Sequence, residues 1–317
     1  MTTPLVGITA PNRQWSAWTK REENALLDIR PQALLFLGYP DSPALGDQLE
    51  QQARVWEALG KPRVLLRPYA EKIMLDYKPK EWAMKCFVLL RRYASYGIQA
   101  ELVPWNEANL EGMGEYWASQ TIFATVFADA FLDLSPDTLL HHPALSPQRK
   151  YRDGWRYFVE TFLGEWYQEW NVHAYNEAQL QDAAILHGIC GKPICVTEVN
   201  QMHPSFYHPK LASLGCVTAH FWFILSGEVG GGQDQQPYWL RGSPFYDDFK
   251  ELSQGIVLPE PLPGSQPQAG GLNDDDEGGD MAQYVLGFKD LAERLGASVV
   301  GEPEMDEASI VIEVDMV

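Results

Sequence analysis

Two glutamates of this chain stand at the ends of short apolar segments. Glu107 follows the apolar residues 100–103 and comes directly after Trp105 and Asn106, while Glu198 lies in the run ICVTEVN. Carboxylates that follow buried strands lie where barrel enzymes keep their catalytic groups, and a pair of them can exchange protons with a substrate. Either residue could instead open a helix or form an ion pair, so neither glutamate decides the matter alone.

The elements that would position these glutamates come from an alternation of strand-like and helix-like segments over the first 225 residues. Continuous apolar strands joined by helices are typical of a parallel barrel covered by helices. A doubly wound open sheet is the alternative, but it is disfavoured by eight units and by the lack of a glycine-rich turn after the first strand. The predicted strands are 5–9, 33–38, 62–67, 100–103, 138–141, 171–175, 193–199 and 216–224.

The predicted fold class is therefore α/β, a (β/α)8 TIM barrel that covers residues 1–257. In a closed barrel of eight strands the ends of the fourth and seventh strands face each other across the mouth. Glu107 and Glu198 would then share one cleft.

The composition changes after the barrel. Residues 258–280 are rich in proline, glycine and aspartate, which predicts a disordered acidic linker. Residues 281–317 contain an amphipathic helical pattern at 282–295 and a strand pattern at 309–314. So few residues cannot form a core alone, which predicts a small helix-strand appendage or the start of a further module.

Charge and hydropathy exclude several classes of partner. The chain has 24 Lys and Arg against 43 Asp and Glu, a net charge of −19, which argues against binding to nucleic acid. No apolar run is long enough to cross a bilayer, so no membrane insertion is expected. The N-terminus lacks a basic leader, which predicts a cytoplasmic location, with release by another route as an alternative.

Metal and cofactor motifs are not found in the sequence. The four cysteines match no zinc spacing, and neither do the histidines, so we predict no metal. The run Gly230-Gly231-Gly232 lacks the Lys and Ser or Thr of a phosphate loop, and no G-x-S-x-G motif occurs. We therefore expect no cofactor.

Taken in order, the motifs resemble those of the clan A retaining glycoside hydrolases, which share a (β/α)8 barrel. Asn106-Glu107 resembles the Asn-Glu pair that ends the fourth strand of that clan, and Glu198 resembles the glutamate that ends the seventh. The resemblance spans residues 5–252 and consists of motifs rather than continuous similarity. Further matches are Pro143-Ala144-Leu145-Ser146 at the fifth strand, His173-Ala174-Tyr175 at the sixth and Trp222 at the eighth.

The resemblance implies a division of roles between the two glutamates. Glu107 would be the general acid and base, which has to be protonated to assist the leaving oxygen. Glu198 would be the nucleophile, which has to stay ionised. Asn106 would hold the sugar 2-hydroxyl, and Tyr175 would donate a hydrogen bond that orients Glu198.

The resemblance also implies side chains that line the substrate cleft. Trp222 would stack on a sugar ring, and Trp105 is a further candidate for contact with the substrate. His173 either lines this cleft or is a hydrogen-bonded core histidine. The clan keeps an arginine on the second strand, near the nucleophile. Here the second strand has none, and Arg67 at the end of the third predicted strand is either its counterpart or part of an ion pair.

The predicted function is a retaining glycoside hydrolase acting on an oligo- or polysaccharide that is neutral or weakly charged. Two alternatives remain at this point, a carbohydrate-binding barrel without catalysis and a barrel enzyme of another class that uses the carboxylates for proton transfer. The segment from Tyr284 to Pro303 also resembles a junction between catalytic and wall-binding modules of bacterial and phage hydrolases. That resemblance implies a wall-binding or partner module on the C-terminal side, and offers a cell-wall glycan as one substrate.

Overall fold

A seven-stranded parallel sheet curls around the centre of the molecule. Its strand order is β4-β3-β2-β1-β7-β6-β5, and every neighbouring pair in it is parallel. The strands are β1 (Leu5–Thr9), β2 (Ala33–Gly38), β3 (Arg63–Pro68), β4 (Glu101–Leu102), β5 (Trp170–Ala174), β6 (Ile194–Val199) and β7 (Val217–Trp222).

The computed structural model describes residues 3–69, 73, 77–107, 117–145, 166–200, 202–226, 239–255, 297–305 and 310–316. The predicted linker 258–280 and the predicted helix 282–295 lie outside these residues, and so do residues 155–165 of a helix that the sequence predicts at 155–166. No helix among the described residues has the length and hydropathy that crossing a membrane requires.

The fifth predicted strand, 138–141, is not a regular strand. Isolated parallel bridges join Leu140 to Leu102 of β4, His141 to Glu169 ahead of β5, and Leu145 to β5. This segment therefore fills the eighth position between β4 and β5. The predicted fold class, a (β/α)8 barrel, is confirmed.

Helices connect the strands and cover the outside of the barrel. The apolar period did not predict the helix at 20–29 or the helix at 204–214. The helices are α1 (Lys20–Ile29), α2 (Leu45–Ala58), α3 (Pro79–Ser95), α4 (Trp117–Leu134), α5 (Glu177–Leu180), α6 (Asp182–Cys190), α7 (Pro204–Leu214) and α8 (Tyr246–Ser253).

Strand alternation divides the core into two layers, because successive side chains point to opposite faces of a sheet. One layer packs between the barrel and the helices and includes Ile8, Phe36 and Val172. The other fills the barrel interior, and there the ring of Phe221 lies 2.6 Å from the position that a Cβ on Gly7 would occupy. The interior layer consists of Ala33, Leu35, Leu65, Val103, Cys195, Ala219 and Phe221.

Near the C-terminus, β8 (Ala297–Met305) and β9 (Ile310–Met316) form an antiparallel pair. The strand predicted at 309–314 corresponds to β9. The division of the chain into a barrel, a linker and an appendage stays a prediction.

Candidate active site

Glu198 reaches the barrel interior through a bulge in β6. Val196 pairs with Val172 of β5, but the next partner of β5 is Glu198, which lies opposite His173 and leaves Thr197 unpaired. Such a bulge adds one residue and re-aims the side chain that follows. It lets Val196 and Val199 both face the helices while Glu198, 4% exposed, lies on the inner side near the C-terminal end of β6.

Arg67 and Asn106 lie beside Glu198. Arg67 is the inward residue near the end of β3, and its Nη1 lies 2.8 Å from Glu198 Oε1. The same Nη1 donates to Asn106 Oδ1 at 2.6 Å. The structure thus brings Arg67 to the carboxylate although the sequence left it open between two roles.

His173 connects the two glutamates. Its Nδ1 lies 2.9 Å from Glu107 Oε1 and 2.9 Å from the Tyr175 hydroxyl, and its Nε2 lies 3.6 Å from Glu198 Oε1. The Tyr175 hydroxyl donates to Glu198 Oε2 at 2.7 Å. Because that hydroxyl donates to Glu198, its oxygen is left to accept from His173 Nδ1 in the tautomer that carries a proton there.

The surroundings of Glu198 favour its ionised form. Burial alone would raise its pKa, but the charges of His173 and Arg67 and the hydrogen bonds from Tyr175 and Arg67 together lower it. Burial and the neighbouring carboxylates raise the pKa of Tyr175 well above its ordinary range, so this hydroxyl stays a donor. The site therefore holds one carboxylate charged and fixed in orientation.

Glu107 lies at the same end of the barrel and is 9% exposed. Its backbone has a φ of 23°, a value that residues with a side chain rarely adopt. Such backbone strain costs about 1–3 kcal/mol and occurs preferentially at functional sites. The conformation turns the chain sharply after Asn106, so that the Glu107 carboxylate meets His173.

The two tryptophans expected in the substrate cleft lie elsewhere, and that expectation is corrected. Trp222 is 2% exposed and its ring packs against Tyr207, Phe245 and Phe249 in the layer between barrel and helices. The reason is its position on β7, where Ala219 and Phe221 face inward and Trp222 therefore faces outward.

Trp105 is likewise 2% exposed, and its indole makes edge contacts with Phe123 and Phe127 of α4. It anchors the loop that carries Asn106 and Glu107 rather than lining the cleft. The alternation that begins at Ala219 assigns the inward direction to Phe223, the residue just after β7, which is half-buried and whose N–H bonds to Val199 O.

A second polar cluster lies at the opposite end of the barrel, where the strands begin. Glu101, His141 and Glu169 bring ligand-type atoms within 4.8 Å of one another, a set that could hold a metal ion. Arg63 Nη2, however, lies 2.6 Å from Glu101 Oε2 and 2.5 Å from Glu169 Oε2. The Arg63 guanidinium lies where a metal ion would have to bind, so this cluster is an ion-pair network. The absence of a metal stays a prediction.

Comparison with known proteins gives a result only at the level of structure. No family model and no curated protein sequence matches this chain. Among solved structures, the Thermomonospora fusca β-mannanase in its mannohexaose complex is 11% identical, with a TM-score of 0.58 over 80% of this chain and 90% of that one. An endo-β-1,4-glucanase from Xanthomonas axonopodis pv. citri is 10% identical, with a TM-score of 0.55 over 80% and 99%.

XacCel5A is 9% identical, with a TM-score of 0.58 over 80% of this chain and all of that one. The chain spans nearly the whole of these three barrels. Its fold is the TIM barrel of these three neighbours, so the resemblance drawn from the motifs is confirmed at the level of the fold. At such low identity the likeness does not extend to the reaction.

Proposed function

We propose that this protein is a retaining glycoside hydrolase that cleaves a neutral or weakly charged oligo- or polysaccharide. The observation that carries the proposal is the shared contact of Glu107 and Glu198 with the single imidazole of His173. Two carboxylates in one buried cleft are the catalytic equipment of glycoside hydrolysis. The similarity to structures of a β-mannanase and an endo-β-1,4-glucanase favours β-linked glycans as the first substrates to test.

In the first step Glu198 attacks the anomeric carbon while Glu107 gives its proton to the leaving oxygen. The low pKa of Glu198 keeps the attacking group ionised, and the Tyr175 hydroxyl fixes its second oxygen. In the second step the Glu107 carboxylate takes a proton from water, and that water displaces Glu198 from the sugar. The two inversions give net retention of configuration.

Arg67 and Asn106 have supporting roles in this proposal. Arg67 holds Glu198 Oε1 and Asn106 Oδ1 with the same nitrogen, which fixes the relative position of the carboxylate and the amide. The Asn106 side-chain amide would then donate to the sugar 2-hydroxyl, a contact that strengthens in the transition state.

Removal of each glutamate separates the two roles. Glu198→Ala should lower hydrolysis by several orders of magnitude, and added azide should attack the sugar directly and give a glycosyl azide of inverted configuration. Glu107→Ala should spare substrates with activated leaving groups, since they need little acid assistance. With such substrates azide should intercept the glycosyl-enzyme and give a product of retained configuration.

Product configuration, measured by NMR, checks this assignment. Opposite stereochemistry in the two variants would show that the roles are exchanged. If wild type and both variants bind glycans equally and turn over none of a broad panel, the protein is a carbohydrate-binding barrel without catalysis.

A further inference from the structure

Three aromatic rings are exposed among the described residues, and two of them lie at the catalytic end of the barrel. Trp15 is 62% exposed and Tyr69 is 37% exposed, and each follows the C-terminal end of a strand, β1 and β3 respectively. The third ring, Tyr96, is 43% exposed and caps the C-terminal end of α3. Since α3 runs back from the strand ends, Tyr96 lies at the opposite end of the molecule.

Tyr69 is fixed next to the candidate active site. It stands two residues beyond Arg67, and its N–H donates to Gly38 O at 2.8 Å. Its ring meets the edge of Tyr39, with centroids 5.7 Å apart, and Tyr39 is buried with its hydroxyl bonded to Asn12. The exposed ring therefore rests on a buried, hydrogen-bonded one.

The loop that carries Trp15 is also held in place, although its indole faces solvent. Gln48 of α2 donates to Arg13 O at 2.7 Å and to Ser16 O at 2.9 Å. Arg13 Nε pairs with the buried Glu22 at 2.7 Å. These bonds lie on both sides of Trp15 and fix the loop that follows β1. The large apolar ring of Trp15 is therefore held in an exposed position.

Exposed aromatic rings on a rigid support suit a ligand with flat apolar faces and polar edges, and sugar rings have this form. The rim from β3 to β1 covers two strand spacings, about 10 Å, and begins at Arg67, which contacts Glu198. It is long enough for sugar rings beyond the one held between the carboxylates.

We propose that Tyr69 and Trp15 form an extended subsite that stacks against further hexopyranose rings of the same chain. The inference rests on the proposed function and adds to it that the substrate is a chain of sugars rather than a single one. Binding energy gained at these rings, away from the reacting bond, would be used to position the scissile linkage.

The test compares substrates that do and do not reach the rim. β-Glucosyl and β-mannosyl fluoride occupy only the position between the carboxylates, whereas β-1,4-gluco- and manno-hexasaccharides extend past it. Tyr69→Ala and Trp15→Ala should each lower kcat/KM on a hexasaccharide about tenfold more than on the fluoride of the same sugar. Tyr96→Ala is the matched control and should keep the wild-type ratio.

Titration of the hexasaccharides into the Glu198→Gln protein, alone and combined with each rim variant, measures binding without turnover. If Tyr69→Ala and Trp15→Ala match Tyr96→Ala in both measurements while the wild type hydrolyses the fluoride, the subsite is wrong and the proposed function stands. If the wild type hydrolyses neither substrate, the proposed function fails. The calorimetric titration of the Glu198→Gln protein then tests the subsite by itself. Weaker hexasaccharide binding with Tyr69→Ala and with Trp15→Ala supports the subsite. Unchanged binding, or no binding at all, overturns it.

Discussion

At the scale of single residues, Arg67 forms the buried ion pair that holds Glu198. Its guanidinium is 3% exposed and lies 2.8 Å from a carboxylate that is 5% exposed. A charge pair so removed from water interacts strongly, whereas surface pairs contribute little. The contact is therefore expected to act on the chemistry of Glu198 as well as on its position.

Arg67→Met should move the acid limb of the kcat/KM profile to higher pH. In the folded protein the pKa of Glu198 is lowered, so the carboxylate stays ionised until the pH falls below the ordinary glutamate value of about 4.3. Without the cation, burial opposes ionisation and the pKa of Glu198 should rise. A glycosyl fluoride is the suitable substrate, because its leaving group needs no acid.

Arg92→Met removes an exposed arginine of α3 and should leave the acid limb where it is. An acid limb that stays in place in Arg67→Met would mean that Arg67 does not set the pKa of Glu198.

At the scale of elements, the sequence predicted the strands, which are continuous apolar runs. It missed features that depend on the direction of side chains, and a helix whose start is marked only by a capping motif. Helix α1 begins Lys20-Arg21-Glu22-Glu23, too polar for a search by apolar period. Its signal was instead the capping box from Thr19 to Glu22. The sequence predicted the neighbourhood of Glu107, His173, Tyr175 and Glu198 because each lies at the end of an apolar run, and the strand ends of a parallel barrel meet at one mouth. It gave no sign of the bulge at Thr197, which depends on pairing with β5.

Thr19 offers a test of how much the cap of α1 contributes to stability. Its hydroxyl accepts from Glu22 N–H, and Glu22 Oε2 in return accepts from Thr19 N–H at 2.7 Å. Thr19→Ala should lower the free energy of unfolding by about 1 kcal/mol, measured by urea denaturation.

Thr19→Ser keeps the hydroxyl and should retain most of that stability. Equal losses in the two variants would show that the methyl group of Thr19, and not its cap bond, accounts for the effect.

At the scale of the whole molecule, both backbone and side chains close the barrel between β4 and β5. Among the described residues the backbone there forms isolated bridges rather than a regular strand. There Glu101 contacts His141 Nε2 at 2.7 Å, and Arg63 of β3 binds both Glu101 and Glu169. Thr218 of β7, two strands along the sheet from β5, donates to Glu169. The ion-pair network thus spans the closing segment and strands on both sides of it.

Arg63→Met should lower the free energy of unfolding by about 3–5 kcal/mol at neutral pH, because it leaves Glu101 and Glu169 without their common cation. Lys85→Met is the control, since it removes a largely exposed pair with Asp41 and should cost about 1 kcal/mol or less.

Acid titration of the wild type gives a second measurement. Burial would raise the pKa of Glu101, but His141 and Arg63 lower it to about 2, against about 4.3 in the unfolded chain. The stability that Glu101 contributes is then present in full above the unfolded value and is lost as the pH falls from about 4 towards 2. If Arg63→Met is no more destabilising than Lys85→Met, the barrel closes without help from this network.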